Sequence, residues 1–206
     1  MTGPEISGMP DYNDVRNFVV GSVVVAIAFA AYYGDFANLW SYSFYIPASA
    51  LVLFSREVGI RAAVNVLDGY VDLELASDGA TTTLFGSMLA VVSGLPIILL
   101  FPIYSSPSRV KYENWGKSVD VVWEHYKFWI AMLGIITLFT GFFTVYSMGY
   151  MILAQMYALF TLFQLMPFDY SGIPTGSLDG AEIMRWSGFY WLFFTGLFLV
   201  GLALAL

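Results

Sequence analysis

The sequence predicts an all-α polytopic membrane protein: about six transmembrane helices in one bundle, with a short β-strand or hairpin near residues 70–77. Three observations carry this. Hydrophobic residues make up 59% of the chain and charged residues only 11%, whereas a soluble domain is about a quarter charged. The apolar residues gather into runs close to the roughly 20 residues a helix needs to cross the hydrocarbon. One stretch, "YVDLELAS", alternates apolar and polar with period two, the mark of a strand.

The elements follow in order. Residues 1–15 are polar, with Gly, Pro and acids, and read as an N-terminal tail; residues 16–206 form a single membrane domain. The expected spans are 17–33, 39–67, 84–104, 127–146, 149–167 and 186–206. The first is uniformly apolar and follows an acidic tail, unlike a signal peptide. The second is too long for one straight crossing, and Pro47 is placed to kink it. The third contains Gly94-Leu95-Pro96, which marks it as broken or re-entrant. The fourth and fifth are separated by a turn at Ser147–Gly149. Ser105–Tyr126 reads as a polar loop holding Arg109, Lys111, Lys117 and the single histidine, His125.

The charge balance narrows the function. The formal net charge is −7, with five Arg and three Lys, which disfavours nucleic acid, a polyanion. The same acidity suits a high-salt cytoplasm and points to a halophilic archaeon. The basic residues concentrate after the third run, which puts that loop inside the cell and the N-terminus outside. The chain has no Cys, so disulfides and thiolate metal sites are excluded.

One stretch breaks the apolar pattern. "LFSREVGIRAAVNVLDGY" places Arg56, Glu57 and Arg61 inside the second run, where each charge costs a few kcal/mol. Farther on, Gln164-Leu165-Met166-Pro167 is followed by "FDYSGIPTGS", then Leu178-Asp179-Gly180 and "AEIMRWSGFYW". With the opening "DVRNFVVGSVVVAIAFA", these segments resemble, in order and over nearly the whole chain, the site-2 proteases of the short archaeal type. In that family an H-E-x-x-H motif supplies two zinc ligands and a general base from one helix face, and the Asp of a later L-D-G motif supplies the third ligand.

The resemblance identifies the relic positions Arg56, Glu57, Ile60, Gln164 and Asp179. Arg56 and Ile60 stand where the two histidines belong. Neither offers a lone pair to a metal. Gln164 replaces the Asn of the second motif, and the gap before Asp179 is longer than the family's. Only Glu57 and Asp179 match. An all-carboxylate site from Glu57, Asp68, Asp72 and Asp179 would have Arg56 beside it. The expectation is therefore no catalytic residues, no metal and no cofactor. Arg56 is instead expected to bridge Asp179, Glu57 or both, a fixed cation in place of a metal ion.

Each residue also has an ordinary reading. Glu57 and Arg61 are spaced i,i+4 in the favourable order for a helical ion pair. Arg56 can snorkel to the interface. Asp179-Gly180 suits a turn or helix N-cap. His125 reads as a solvated loop or interface residue. The strand Val71, Asp72, Leu73, Glu74, Leu75 is either a plain surface hairpin or, as the resemblance implies, an edge that pairs with an extended client. The function expected is that of an integral membrane pseudoprotease acting as a binding, scaffolding or accessory subunit. Its partners would be membrane lipids and another membrane protein or transmembrane segment. The alternative is an active intramembrane metalloprotease with non-standard ligands.

Overall fold

Helix α1 (Tyr12–Tyr32) starts five residues before the first apolar run. The reason is local. The Asp14 N–H donates to the Asp11 carboxylate, and the Asp11 N–H donates back to Asp14, a reciprocal cap that satisfies two otherwise orphaned donors. Residues 12–15 are thus helix and not tail. The computed structural model describes residues 10–67, 70–101, 103–108, 118–167 and 178–205, and these are mostly helical with one two-stranded sheet.

Gly34, at φ 79, turns the chain after α1. A short 3-10 turn at Leu39–Ser41 leads into α2 (Tyr42–Val66), which continues through Pro47 without interruption. Its 25 residues span about 37 Å, more than the ~30 Å of bilayer hydrocarbon. Arg56, Glu57 and Arg61 occupy its second half.

Strand β1 (Tyr70–Leu75) precedes α3 (Ser77–Ser93), and β2 (Ile103–Ser108) pairs with β1 antiparallel, Leu73 opposite Ser105. Val71, Leu73 and Ile103 are buried, while Asp72 and Glu74 face outward. The apolar run at 84–104 is therefore not one crossing helix. α3 stops at Gly94, whose φ of 68 is left-handed, a conformation glycine adopts without steric cost. The chain then returns along α3: the Phe101 N–H donates to Thr83 Oγ1, and a Cβ on Gly79 or Gly86 would strike Phe101 O or Leu99. This return delivers β2, which from Ser105 onward had read as the start of the polar loop.

α4 (Ser118–Ser147) begins nine residues before the expected 127 and carries His125 on a helix. Gly149, at φ 82, sits in the turn to α5 (Met151–Leu165). Pro167 ends α5: Met166 before it is extended, as a residue preceding proline prefers. The last apolar run forms α7 (Gly188–Ala205), and a separate short helix, α6 (Asp179–Trp186), precedes it across extended Ser187.

α4 lies at the centre, against α2, α5 and α6, while α1 packs on α2 and α3. The core is apolar, with Phe29, Val52, Leu53, Ile135, Leu138 and Phe160 fully buried. Close approaches depend on glycine. A Cβ on Gly59 of α2 would lie 2.5 Å from the Leu133 carbonyl of α4, and one on Gly180 would strike the Leu165 carbonyl. Among the described residues, two helices are long and apolar enough to cross a membrane: α1, and α4 from His125 to Ser147.

Candidate functional site

The site forms where α2, α6, α4 and β2 meet. Arg56 lies one residue before Glu57 on α2, and both are inside the bundle at 2% and 5% exposure. Asp179 is the first residue of α6, capped by Leu178 without a side-chain bond, so its carboxylate is not used as a helix cap. It meets Arg56 instead. Arg56 Nε donates to Asp179 Oδ2 at 2.8 Å and Nη2 to Oδ1 at 2.8 Å, a two-pronged fork that suits the flat guanidinium. Arg56 Nη1 donates to Glu57 Oε1 at 3.0 Å and to Ser105 Oγ at 2.9 Å. The Ser105 hydroxyl in turn donates to Glu57 Oε1 at 2.6 Å.

Arg56 thus points inward, and the snorkelling geometry is not adopted. One side chain ties α2 to α6, across 123 residues of sequence, and to β2. Ile60, one turn along α2, is 1% exposed. It meets Gly134 of α4, and a Cβ built on Gly134 would sit 3.1 Å from Ile60 Cγ1 and 3.3 Å from Asp179 Oδ2. Ile60 and Asp179 therefore flank the same point on α4.

A second ion pair extends the first. Arg61 Nη2 donates to Asp14 Oδ2 at 2.7 Å, while its Nε lies 3.9 Å from Glu57 Oε2. The i,i+4 pairing with Glu57 is the longer contact, and α1 supplies the closer partner. Asp14 also accepts the Leu73 backbone N–H at 2.7 Å, and Asn17 Nδ2 donates to the Leu73 carbonyl at 2.7 Å. Side chains of α1 thereby satisfy the outward backbone groups of β1 at Leu73, the centre of the strand read as a client edge. A client pairing there would have to displace them.

The residues do not fit the metal that the resemblance implies. Arg56 is a cation, Ile60 has no donor atom, and both Asp179 oxygens already accept hydrogen bonds from Arg56. Among the described residues no three of His, Asp and Glu converge as a metal-binding group. Asp68, a member of the all-carboxylate alternative, and the segment between Pro167 and Leu178 lie outside the described residues.

His125 is not a loop residue. It accepts a hydrogen bond from Trp129 Nε1 at 2.9 Å and packs on Trp186 of α6, ring centroids 4.7 Å apart. It precedes Gly134 on α4 by nine residues, about 13 Å along the axis, which separates it from the Arg56 cluster. Gln164 is 1% exposed, and neither amide atom has a hydrogen-bond partner. Asp72 faces outward. Loss of water, then repulsion from Asp14, Asp11 and Glu74, pushes its carboxyl above the usual range, with Arg61 opposing.

Sequence reasoning missed Ser105 and Asp14. Ser105 carried no signal, because nothing local marks a serine before a proline-containing stretch as a strand residue. Asp14 did carry one: the Asp11–Asp14 spacing is that of a capping pair. Compared with family models, with curated proteins and with solved structures, the chain matches none of them.

Proposed function

We propose that this chain is a multi-pass membrane protein of the site-2 protease type that has exchanged its metal centre for an internal salt bridge and serves as a binding or scaffolding subunit for other membrane proteins. The observation that carries this reading is the fork from Arg56 to Asp179, at the two positions the resemblance assigns to metal ligands, with Glu57 attached to the same guanidinium. The fork supplies the positive charge that a carboxylate in a poorly hydrated cleft requires. It also occupies both carboxylate oxygens. The water attack of a metalloprotease needs a Lewis acid to bring the water's pKa towards roughly 7, and Glu57 alone is not one.

A multi-pass arrangement, with α1, α2, α4, α5 and α7 crossing, α3 and its return entering and leaving on one side, and α6 as an inner segment, is part of the same proposal. It is supported by large apolar side chains on outward faces, among them Phe54, Phe85, Met88, Phe189, Phe193 and Val200. An outward apolar surface on so many helices is better matched to lipid than to water. An extended partner adding to the sheet would use β2, because Leu73 of β1 is already bonded to Asp14 and Asn17.

Elemental analysis of the purified protein tests the reading, together with identification of co-purifying chains. The expected result is no stoichiometric zinc and no shift of Tm with chelators, since a metal held only by the folded state would stabilise it. About one dialysis-resistant zinc per chain would overturn the proposal.

A further inference from the structure

The two ends of the bundle are chemically different. The sheet end gathers the start of α1, the end of α2, β1 and β2, the start of α4, and α6. There Asp14 of α1 holds Arg61 of α2 and the Leu73 N–H of β1. Ile130 of α4 packs with Ala63, Val64 and Val71, and Trp186 of α6 lies on His125 of α4. The far end gathers the end of α1, the start of α2, the Gly94 turn, the α4–α5 turn and the end of α7. There Tyr45 of α2 donates to Asp35, and Tyr33 donates to Gln155 of α5. Gly94 and Pro96 line one cavity with Tyr32 and Phe36, and Gly201 of α7 approaches Phe143 of α4.

The basic residues avoid the far end. Arg56 and Arg61 occupy the half of α2 that leads to the sheet, Arg16 lies in the second turn of α1, Lys127 near the start of α4, and Arg185 in α6. Arg109, Lys111 and Lys117 fall in the nine residues that join β2 to α4. Both flanks of that link are at the sheet end. Nine residues extend about 30 Å at most, too little to cross the hydrocarbon and come back. At the far end, residues 32–42, 94–97 and 147–151 contain one charged residue, Asp35. They present Leu39, Trp40 and Tyr150 instead, at 82%, 87% and 60% exposure. Exposed Trp and Tyr are the side chains that settle at headgroup level.

The basic cluster after the third apolar run was expected on the side opposite the start of α1, because that run was counted as a crossing. The chain instead enters α3 and leaves its return at the sheet end, so the cluster and the start of α1 share a side. We propose that the sheet end faces the cytoplasm and that the far end is seated in the outer headgroup layer, so that a partner strand adding to β2 is a cytoplasmic segment and not an exported one. Lys and Arg in short connections mark the cytoplasmic side, and Asp and Glu weigh little in that count. The acidic residues Asp11, Asp72 and Glu74 at the sheet end therefore do not reverse it. The orientation rests on the multi-pass reading and is independent of the exchanged metal centre.

The absence of Cys makes the test direct, since a single introduced cysteine reports its own side. Asp72→Cys and Asn114→Cys mark the chain before and after α3, and Leu39→Cys and Met148→Cys mark the far end. Each full-length variant is treated with a membrane-impermeant maleimide in intact cells and again after lysis in detergent. The far-end pair should label in intact cells, and the Asp72 and Asn114 variants only after lysis. The reverse pattern would overturn the orientation while leaving the multi-pass reading in place. Asp72→Cys and Asn114→Cys on opposite sides would mean that the 84–104 run crosses after all, and would overturn the shared side. Labelling of all four only after lysis would overturn the multi-pass reading itself. None of these outcomes depends on metal content, which tests the pseudoprotease reading separately.

Discussion

Replacing Arg56 by leucine isolates the interaction that organises the interior. Arg56 is 2% exposed and donates four hydrogen bonds, two to Asp179, one to Glu57 and one to Ser105. Asp179 is 6% exposed and loses both of its bonds, whereas Glu57 keeps Ser105. The cost is thus set mainly by one orphaned carboxylate. Breaking one partner of a buried pair costs about 3–5 kcal/mol, while replacing both by apolar groups costs far less. Arg56→Leu should therefore destabilise by about 3–5 kcal/mol, and adding Asp179→Leu should recover about 2 kcal/mol of that. The assay is reversible unfolding in mixed maltoside and dodecyl sulfate micelles, followed by tryptophan fluorescence. Trp186 lies on the same helix as Asp179. The double-mutant cycle yields the coupling directly. A loss under about 1 kcal/mol for Arg56→Leu, or a double variant less stable than the single, would refute an organising role for the fork.

Other perturbations probe the elements around it. Asp14→Ala removes the return half of the α1 capping pair, the closer ion-pair partner of Arg61 and the acceptor for the Leu73 N–H; it should cost about 2–3 kcal/mol, with faster hydrogen exchange at Leu73, and unchanged protection there would contradict the bond. Gly180→Ala places a Cβ against the Leu165 carbonyl, while Gly196→Ala meets nothing within 4 Å; the first should cost about 2–3 kcal/mol and the second close to nothing, and equal melting temperatures would disprove the close approach. Asp72 titrates above its usual range in the folded chain, so the folded state holds its proton more tightly than the unfolded state. Its contribution therefore favours folding at low pH and is lost as pH rises from the ordinary carboxylate value through the raised one. Asp72→Asn should flatten that part of the stability profile, and an unaltered slope just above the ordinary carboxylate range would show that Asp72 is not its source.

Some of this was written locally in the chain. A helix makes its backbone bonds within itself, so an apolar window is nearly sufficient to predict one; α1, α2, α5 and the body of α4 coincide with apolar runs. The β1 alternation was legible for the same reason, since "YVDLEL" shows both of its faces in six residues. Strand β2 was not legible. "IYSSPS" has three serines and a proline, and it is a strand because the return from Gly94 lays it beside β1. The 84–104 run shows the limit of hydropathy: it measures apolar character, and an extended return packed along α3 is as apolar as a helix.

The candidate site divides in the same way. Sequence alone determined that three charges stand in an apolar helix, that Arg56 and Ile60 offer no metal ligands, and that any balance must come from elsewhere in the chain. Only the tertiary structure decided which groups supply it. Asp179 reaches Arg56 across 123 residues, Ser105 arrives on a strand with no local signature, and Asp14 claims Arg61 from the first turn of α1. The physical reason is that a buried charge is neutralised by whatever comes within about 3 Å of it. That distance is set by how the helices pack, through contacts such as Gly59 on Leu133 and Gly180 on Leu165, which no window of neighbouring residues encodes.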